Sequence, residues 1–281
     1  MVEHVEINGA QLAYRLIGPD RAPLLITLHG GRGFGDHRSD FKAYSPLSDR
    51  YRILSFDFRG HGQSSKSKPY TFEQIVDDVE ALRKRFAGDD ENVIICGGSF
   101  GGFLAQHYAI KYSKNVSSLI LRGTAPSYHQ EEDAIKVLET RVHKAPSFSV
   151  SMLKDKVFGA FESDLEFQLV HLAMSPLYSE TFDADATLKS VLNNVYNAES
   201  HNDLYSEEEK YFDYRDQLHH ITAKTLVLVG DQDWICPPEH SRYIASNIPN
   251  ATLFVVKNAN HSVHLEKNQE VVAKIREHLA T

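Results

Sequence analysis

Ser99 is the side chain whose surroundings most clearly suggest chemistry. It lies in the run Gly97-Gly98-Ser99-Phe100-Gly101, so a glycine stands two positions away on each side. A Val/Ile run precedes this segment and helical spacing of apolar residues follows it, which predicts a strand, a sharp turn and a helix. Glycine is needed because the two backbones approach closely at such a turn. The alternatives are an ordinary Gly-rich turn or a phosphate-binding loop, but no Gly-Lys-Ser/Thr sequence follows.

Two loops that follow predicted strands supply candidates for a base and for an acid. A serine hydroxyl is a poor nucleophile at neutral pH, so it needs a base within hydrogen-bond reach and a third group that orients the base. One loop contains Asp231 and Asp233, and we prefer Asp233 because a residue at the strand edge more often caps its own turn. The other contains His261 and His264, and we prefer His261 because His264 is expected to begin the last helix.

Backbone N–H groups in two Gly-rich segments are predicted to stabilise negative charge near this serine. The N–H of Phe100 follows the nucleophile, and that of Gly31 follows a predicted central strand. Together they are the natural donors of an oxyanion hole. Polar residues in the neighbouring loops are interpreted as hydrogen-bond braces: His29, Asp57, Arg59 and His61.

The elements that would position these residues alternate along the chain. Residues 5–7 and 12–17 flank Asn8-Gly9, which predicts a β-hairpin. Apolar runs predict further strands at 23–28, 51–58, 93–96, 116–121, 225–229 and 252–256. Helical spacing predicts helices at 71–86, 100–114, 239–247 and 264–279. Strands that alternate with helices predict an α/β fold, with a mostly parallel central sheet and helices on both faces.

Residues 125–215 break this alternation. They contain no apolar β run and are predicted to form several short helices rich in charge and aromatic side chains. We therefore predict a core domain of residues 1–124 and 216–281, with residues 125–215 inserted as a helical cap. The cap has 17 Asp/Glu against 8 Lys/Arg, so it carries essentially all of the chain's net charge of −8. This excess indicates either a solvated helical surface or steering of a cationic ligand.

Composition argues against several classes of partner and site. The net charge of −8 argues against nucleic acid, and no apolar stretch approaches the length of a membrane span. The N-terminus lacks a secretory pattern, and Cys96 and Cys236 imply no disulfide framework, so we expect a cytoplasmic protein. No histidine spacing typical of zinc and no dinucleotide fingerprint is present, so we predict neither a metal nor a cofactor. Oligomeric state is not predicted.

Four segments of the sequence form recognisable motifs: His29-Gly30-Gly31, Asp57-x-Arg59-Gly60-x-Gly62-x-Ser64, Gly97-Gly98-Ser99-Phe100-Gly101-Gly102 and Leu121-Arg122-Gly123. These motifs resemble the α/β-hydrolase superfamily, in which the triad has the chain order Ser, Asp, His. More narrowly, the sequence is similar to the prolyl iminopeptidase group of serine peptidases. The departures are Arg32, where that group usually has proline, Phe100, where it usually has tryptophan, and a single tryptophan, Trp234, which lies outside the predicted cap.

The resemblance implies a serine hydrolase that forms an acyl-enzyme on a small-molecule or short peptide substrate with a free amino terminus. Such an amino terminus needs a carboxylate partner, and four cap residues are candidates: Glu199, Asp203, Glu207 and Glu208. Hydrolysis of small carboxylesters or lactones by the same triad is the main alternative. A non-catalytic small-molecule receptor and C–C bond hydrolysis are further alternatives on the same fold.

Overall fold

The computed structural model describes residues 1–280 and contains one eight-stranded sheet. Its strands are β1 (Glu3–Ile7), β2 (Ala10–Ile17), β3 (Leu24–Leu28), β4 (Arg52–Phe56), β5 (Val93–Gly98), β6 (Val116–Arg122), β7 (Lys224–Gly230) and β8 (Ala251–Val256). Their order across the sheet is β1-β2-β4-β3-β5-β6-β7-β8. Because β5 lies at the centre, the residue that follows it lies over the middle of the sheet edge.

The sheet is parallel from β4 to β8 and antiparallel at one edge. Strands β1 and β2 form the predicted hairpin, with Ile7 opposite Ala10 across Asn8-Gly9, and β2 pairs antiparallel with β4. Strands β3 to β8 pair in parallel. Since parallel strands end at the same edge, the loops after β3, β5, β6, β7 and β8 converge there.

Alternate residues along the strands supply two separate hydrophobic cores. Ile26 and Ile95 pack on one face with residues of the helix over 72–86, whereas Leu25 and Ile94 pack on the other with residues of the last helix. This alternation follows from the twofold side-chain period of a strand. It confirms the predicted sheet with helices on both faces.

The helices of residues 1–280 fall into two groups by their place between the strands. Those that connect or follow strands of the sheet are α1 (His37–Tyr44), α2 (Phe72–Phe86), α3 (Phe100–Lys111), α10 (Pro238–Asn247), α11 (Val263–Glu266) and α12 (Asn268–Ala280). Those between β6 and β7 are α4 (Gln130–Arg141), α5 (Val150–Met152), α6 (Asp164–Met174), α7 (Ala184–Asn193), α8 (Ala198–Leu204) and α9 (Glu207–Lys210). No helix in this part of the chain is both long and apolar enough to cross a membrane.

Local sequence explains where the helices begin and end. The Thr71 side chain caps α2 by accepting the N–H of Gln74, as the sequence predicts. One continuous C-terminal helix from His264 is wrong, because the backbone leaves the helical region at Lys267 and a second helix begins at Asn268. The Asn268 amide donates to the carbonyl oxygens of Ala43 and His264, both at 2.9 Å, which fixes this break.

The helices between β6 and β7 have an apolar cluster of their own. It is dominated by aromatic side chains, among them Phe158, Phe161 and Phe167, and it also includes Trp234 from the loop after β7. Trp234 is fully buried. This indole therefore joins the helical layer to the sheet edge where the strand ends converge.

Candidate active site

Ser99 lies on a strained turn between β5 and α3. Its backbone angles are φ 52° and ψ −121°, which few residues other than glycine adopt. A Cβ on Gly97 would lie 2.2 Å from the Gly101 carbonyl oxygen, and one on Gly101 would lie 1.9 Å from that of Leu28. These distances leave no room for side chains, so the two glycines allow the strand and helix to approach as predicted.

Neighbouring strand ends hold this turn in place. The Ser99 N–H donates to the Arg122 carbonyl oxygen at 2.9 Å, and the Thr124 hydroxyl donates to the Ser99 carbonyl oxygen at 2.9 Å. A Cβ on Gly30 would lie 3.1 Å from the Ser99 Cβ, so the loop after β3 touches the serine directly.

His261 and Asp233 form a hydrogen-bonded pair in the loops after β8 and β7. His261 Nδ1 lies 2.8 Å from Asp233 Oδ2 and 3.0 Å from Oδ1. A carboxylate only accepts, so Nδ1 carries the proton and Nε2 is left to act as a base. Asp231 faces Lys257 instead, at 3.5 Å, so the structure brings the preferred aspartate to the histidine.

The carboxylate of this pair is buried and fixed by its own loop. Asp233 is 2% exposed, and its Oδ1 accepts the N–H groups of Ile235 and Cys236 at 3.2 and 2.9 Å. Gly123, at φ +48°, lies beneath the pair, since a Cβ there would lie 2.9 Å from Asp233 Oδ2. A side chain at position 123 would therefore push the acid away from the base.

The two predicted oxyanion donors come from two segments that adjoin Ser99. Gly31, at φ +90°, follows the segment that contacts the serine, and Phe100 is the first residue of α3. A Cβ on Gly31 would lie 2.4 Å from the Phe34 carbonyl oxygen. Neither N–H donates a hydrogen bond to another group within residues 1–280, so both are available to an oxyanion.

The polar residues interpreted as braces do connect the surrounding loops. Asp57 accepts the His37 N–H at 2.7 Å and the Gln63 N–H at 2.8 Å. His61 Nε2 accepts the Gly33 N–H at 2.8 Å, and burial lowers the pKa of His61 to about 3, so its ring is neutral. These contacts confirm the interpretation for Asp57 and His61.

One group of side chains has the composition of a metal site. The ligand atoms of Asp36, His37 and Asp57 lie within 4.8 Å of one another. However, Asp57 Oδ1 already accepts the His37 ring N–H at 2.7 Å. The observed contacts are those of a loop brace rather than of a coordination shell.

A cavity of about 620 Å³ lies over Ser99 and His261. Its walls come from the strand-end loops and from the helices between β6 and β7, and many are aromatic: Phe34, Phe158, Phe167, Tyr178 and Tyr205. Burial lowers the pKa of His171, which also lines it, to about 4 and raises the pKa of Tyr178 and Tyr205. At neutral pH these three side chains are uncharged, so the cavity is largely apolar.

The structure does not bring the four predicted cap carboxylates to this cavity. Glu199 and Asp203 pair with Lys68 at 3.0 and 3.1 Å, and these side chains are substantially exposed. Glu207 and Glu208 are exposed on the short helix α9. None of the four is among the residues within 1–280 that line the cavity. Their helices turn these carboxylates toward solvent, which the sequence could not reveal.

Sequence reasoning did not assign a function to Arg32, which lines the cavity next to Gly31. It is 3% exposed, and its guanidinium lies 4.0 Å from the centre of the Tyr205 ring. The sequence did contain one indication of a function: a charged residue stands between two glycines, at a position where the prolyl iminopeptidase group usually has proline.

Comparisons with known proteins show which sequences and families this chain resembles. Residues 23–268 match the family model described as alpha/beta hydrolase fold. The chain is 75% identical over 279 residues to the proline iminopeptidase PfmaB of Pestalotiopsis fici, covering 99% of each chain. It is 26% identical to a pimeloyl-acyl-carrier-protein methyl ester esterase of Chromobacterium violaceum, covering 94% of this chain and 95% of that protein.

A solved structure also resembles this one. The proline iminopeptidase of Mycobacterium smegmatis superposes with a TM-score of 0.77 over 100% of this chain and 98% of that one. The sequences are 19% identical, so this likeness shows a shared fold.

Proposed function

Because this chain belongs to the α/β-hydrolase family, in its prolyl iminopeptidase group, we propose that it removes an N-terminal proline from small substrates through an acyl-enzyme on Ser99. The chain is a hydrolase enzyme. The observation that carries the proposal is the His261–Asp233 pair, with Nδ1 2.8 Å from Oδ2, in the same cavity as a serine on a strained turn.

In the proposed first half-reaction, Ser99 Oγ attacks the substrate carbonyl carbon and its proton passes to His261 Nε2. Asp233 holds the imidazolium in position, and the N–H groups of Gly31 and Phe100 bind the oxyanion. Each such donor is typically worth about 3 kcal/mol in the transition state. The imidazolium then gives its proton to the departing amine, and the acyl group remains on the serine.

Water completes the cycle in the second half-reaction. His261 takes a proton from the water as its oxygen attacks the acyl carbon, and the same two N–H groups hold the second oxyanion. Collapse breaks the bond to Ser99, which regains its proton from the imidazolium. The released acid carries the water oxygen.

We also propose a domain division, a partner and a compartment for this enzyme. Residues 125–215 act as a cap over the core of residues 1–124 and 216–281, supported by their separate apolar cluster and their share of the cavity wall. The partner is a small molecule or short peptide that fits a cavity of about 620 Å³. The cytoplasm is the proposed compartment, supported by two buried cysteines that are both free thiols.

Hydrolysis of small esters or lactones is a second candidate. The observation that favours it is the cavity wall, which lacks the four carboxylates predicted to bind an amino terminus. The two carboxylates that do line the cavity, Asp183 and Glu266, already accept backbone N–H groups of the chain. An ester or lactone needs no such carboxylate, and the same triad would hydrolyse it.

Labelling and a substrate panel test these proposals. A fluorophosphonate should label the wild type and fail to label Ser99→Ala, while Ser39→Ala, a change elsewhere in the cavity wall, should still be labelled. Proline 4-nitroanilide, short 4-nitrophenyl esters and simple lactones are then compared by kcat/KM. If the proline anilide is not cleaved and the esters are, the peptidase proposal is wrong. An unlabelled wild type would instead indicate a non-catalytic receptor.

A further inference from the structure

Arg32 carries a buried charge in the wall of the substrate cavity. It is 3% exposed, and its guanidinium stacks on the Tyr205 ring at 4.0 Å. Four further rings lie within 5.7 Å of the guanidinium carbon: Phe72, Phe100, Phe103 and Phe212. Aromatic faces stabilise a cation from above and below but do not accept the N–H groups in the plane of the guanidinium.

One edge of this guanidinium is left without a partner. Nη1 donates to the Leu204 carbonyl oxygen at 3.1 Å. Nε and Nη2 are buried and have no hydrogen-bond partner among residues 1–280. Buried charged donors without acceptors are costly, so a group that satisfies both would bind favourably.

Other arginines of the same chain show what this edge binds. Arg59 Nε and Nη2 donate to the two oxygens of Asp78 at 2.7 and 2.8 Å. Arg83 donates in the same way to Glu80, with both distances 2.9 Å. The Nε/Nη2 edge matches the two oxygens of a carboxylate. In Arg32, a residue of the cavity wall, this edge is buried and has no hydrogen bond to a carboxylate of residues 1–280.

The neighbouring acid does not take that place. Burial raises the pKa of Glu131, and the Arg32 charge is the strongest influence against that rise, yet no hydrogen bond joins the two side chains. Glu131 pairs with Lys210 at 3.5 Å, and its Oε1 is buried without a hydrogen-bond partner among residues 1–280. Gln130 lines the cavity beside them, and its Oε1 is also buried without a partner among residues 1–280. Two N–H donors of the Arg32 cation, one Gln130 oxygen and one Glu131 oxygen are therefore buried without partners among residues 1–280.

We propose that the Nε/Nη2 edge of Arg32 binds a carboxylate carried by the substrate, so that the enzyme selects carboxylate-bearing substrates over matched neutral ones. The inference rests on the proposed function in that the bound substrate also reaches Ser99. Within a peptidase the carboxylate would belong to the C-terminus of a short peptide such as a dipeptide. Within an esterase it would belong to the acid or the alcohol part of the ester.

Matched substrate pairs test the selection. The pairs are prolylalanine and its amide, 4-acetoxybenzoate and 4-acetoxybenzamide, and 4-nitrophenyl hydrogen adipate and 4-nitrophenyl hexanoate. We expect the wild type to favour the carboxylate in at least one pair, and Arg32→Met to lower that ratio of kcat/KM values about tenfold to a hundredfold. The two substrates of a pair differ in intrinsic reactivity, but this difference is the same for both forms of the enzyme. It therefore cancels when the wild-type ratio is compared with the Arg32→Met ratio.

Two further variants distinguish the effect of the Arg32 charge, the effect of its two-donor geometry and the non-specific effect of removing an arginine. Arg32→Lys keeps the charge but not the two-pronged edge, so it should recover only part of the preference. Arg276→Met removes an arginine paired with Asp49 at the surface, at 2.9 Å, and should leave the ratio unchanged. A wild type with no carboxylate preference in any pair, or an Arg32→Met variant that keeps the full preference, would overturn the inference.

Direct binding keeps the test independent of turnover. Calorimetry with 4-phenylbutyrate and its amide should show tighter binding of the carboxylate to the wild type, and loss of that difference in Arg32→Met. If fluorophosphonate does not label the wild type, the proposed function fails while this measurement still decides the role of Arg32. If Arg32→Met does not fold, equal binding of the two ligands to the wild type would still refute the inference.

Discussion

At the scale of single residues, Asp233 and its neighbour Asp231 differ in the side chain that each carboxylate contacts. Its carboxylate lies 2.8 Å from His261 Nδ1 and fixes the tautomer in which Nε2 is the base. We expect Asp233→Asn to lower kcat by about four orders of magnitude, as loss of the orienting acid does in a serine triad. Steady-state kinetics on the best substrate of the panel measure this.

Asp231→Asn is the matched control for that substitution. Asp231 pairs with Lys257 at 3.5 Å and does not contact the histidine. Its loss should therefore change kcat by less than about tenfold, since a partly exposed ion pair contributes little. A larger effect for Asp231→Asn than for Asp233→Asn would reverse the assignment of the acid.

The contrast between Ser99 and Arg32 shows which residues of a site can be predicted from sequence. Ser99, Asp233 and His261 are recognisable because each lies in the segment that follows a strand, and parallel strands end at one edge. The position of Arg32 depends on contacts with Tyr205 and Leu204, which are far away in the chain. No local pattern encodes such contacts, so the free edge of this guanidinium becomes visible only in the fold.

At the scale of elements, the turn from β5 to α3 is the least tolerant of added atoms. A Cβ on Gly101 would lie 1.9 Å from the Leu28 carbonyl oxygen, which is backbone and has no freedom to move aside. We expect Gly101→Ala to lower the free energy of unfolding by about 3 kcal/mol, by overpacking. Urea denaturation followed by circular dichroism measures this loss.

Gly9→Ala is the control for that measurement. Gly9 lies in the β1–β2 turn at φ +77°, and a Cβ there would meet no atom within 4 Å. Its cost should be limited to the left-handed backbone angle, about 1 kcal/mol. Equal losses for the two variants would show that the close approach at Gly101 carries no special cost.

Helix α8 provides a second prediction at this scale. Glu199 and Asp203 pair with Lys68 outside the cavity, and the three side chains are between 38% and 58% exposed. We therefore expect Glu199→Gln and Asp203→Asn each to change kcat/KM by less than about twofold, because screened surface pairs contribute little. A loss greater than about tenfold on prolyl substrates alone would restore their predicted role in binding an amino terminus.

The elements differ in how well their sequences predicted them. Apolar runs flanked by turn residues located every strand of the sheet, and Thr71 marked the start of α2. The acidic helices between β6 and β7 were predicted as a group, but the orientation of their carboxylates was not. Orientation depends on which side of each short helix packs into the aromatic cluster, and four- to seven-residue helices such as α8 and α9 have too little periodicity to show it.

At the scale of the whole molecule, buried histidines predict how stability depends on pH. Burial lowers the pKa of His61 and His201 to about 3 and that of His171 to about 4. In the unfolded chain each has a pKa of about 6.5, so the unfolded state binds more protons below that pH. The stabilising contribution is thus present above pH 6.5 and is lost as the pH falls toward 4.

We expect the free energy of unfolding to fall by roughly 1 kcal/mol per buried histidine between pH 7.5 and 5.5. Burial also raises the pKa of Asp40 and Glu131, which opposes the trend at lower pH, so this window is the one to measure. Urea midpoints across it provide the test. His171→Gln should reduce the pH slope, whereas substitution of the exposed His4 should not. An unchanged slope in His171→Gln would contradict the explanation.

Trp234 gives the molecule an optical reporter at the junction of its two layers. The chain has one tryptophan, its indole is fully buried in the cluster of the helices between β6 and β7, and it lies next to Asp233. Its Nε1 has no hydrogen-bond partner within residues 1–280, and the Tyr178 ring lies 5.6 Å away, edge to face. Intrinsic fluorescence should therefore be blue-shifted at rest. A red shift of the Trp234 emission on adding substrate would show that water reaches the indole, which lies beside Asp233. No attached dye is needed for this measurement.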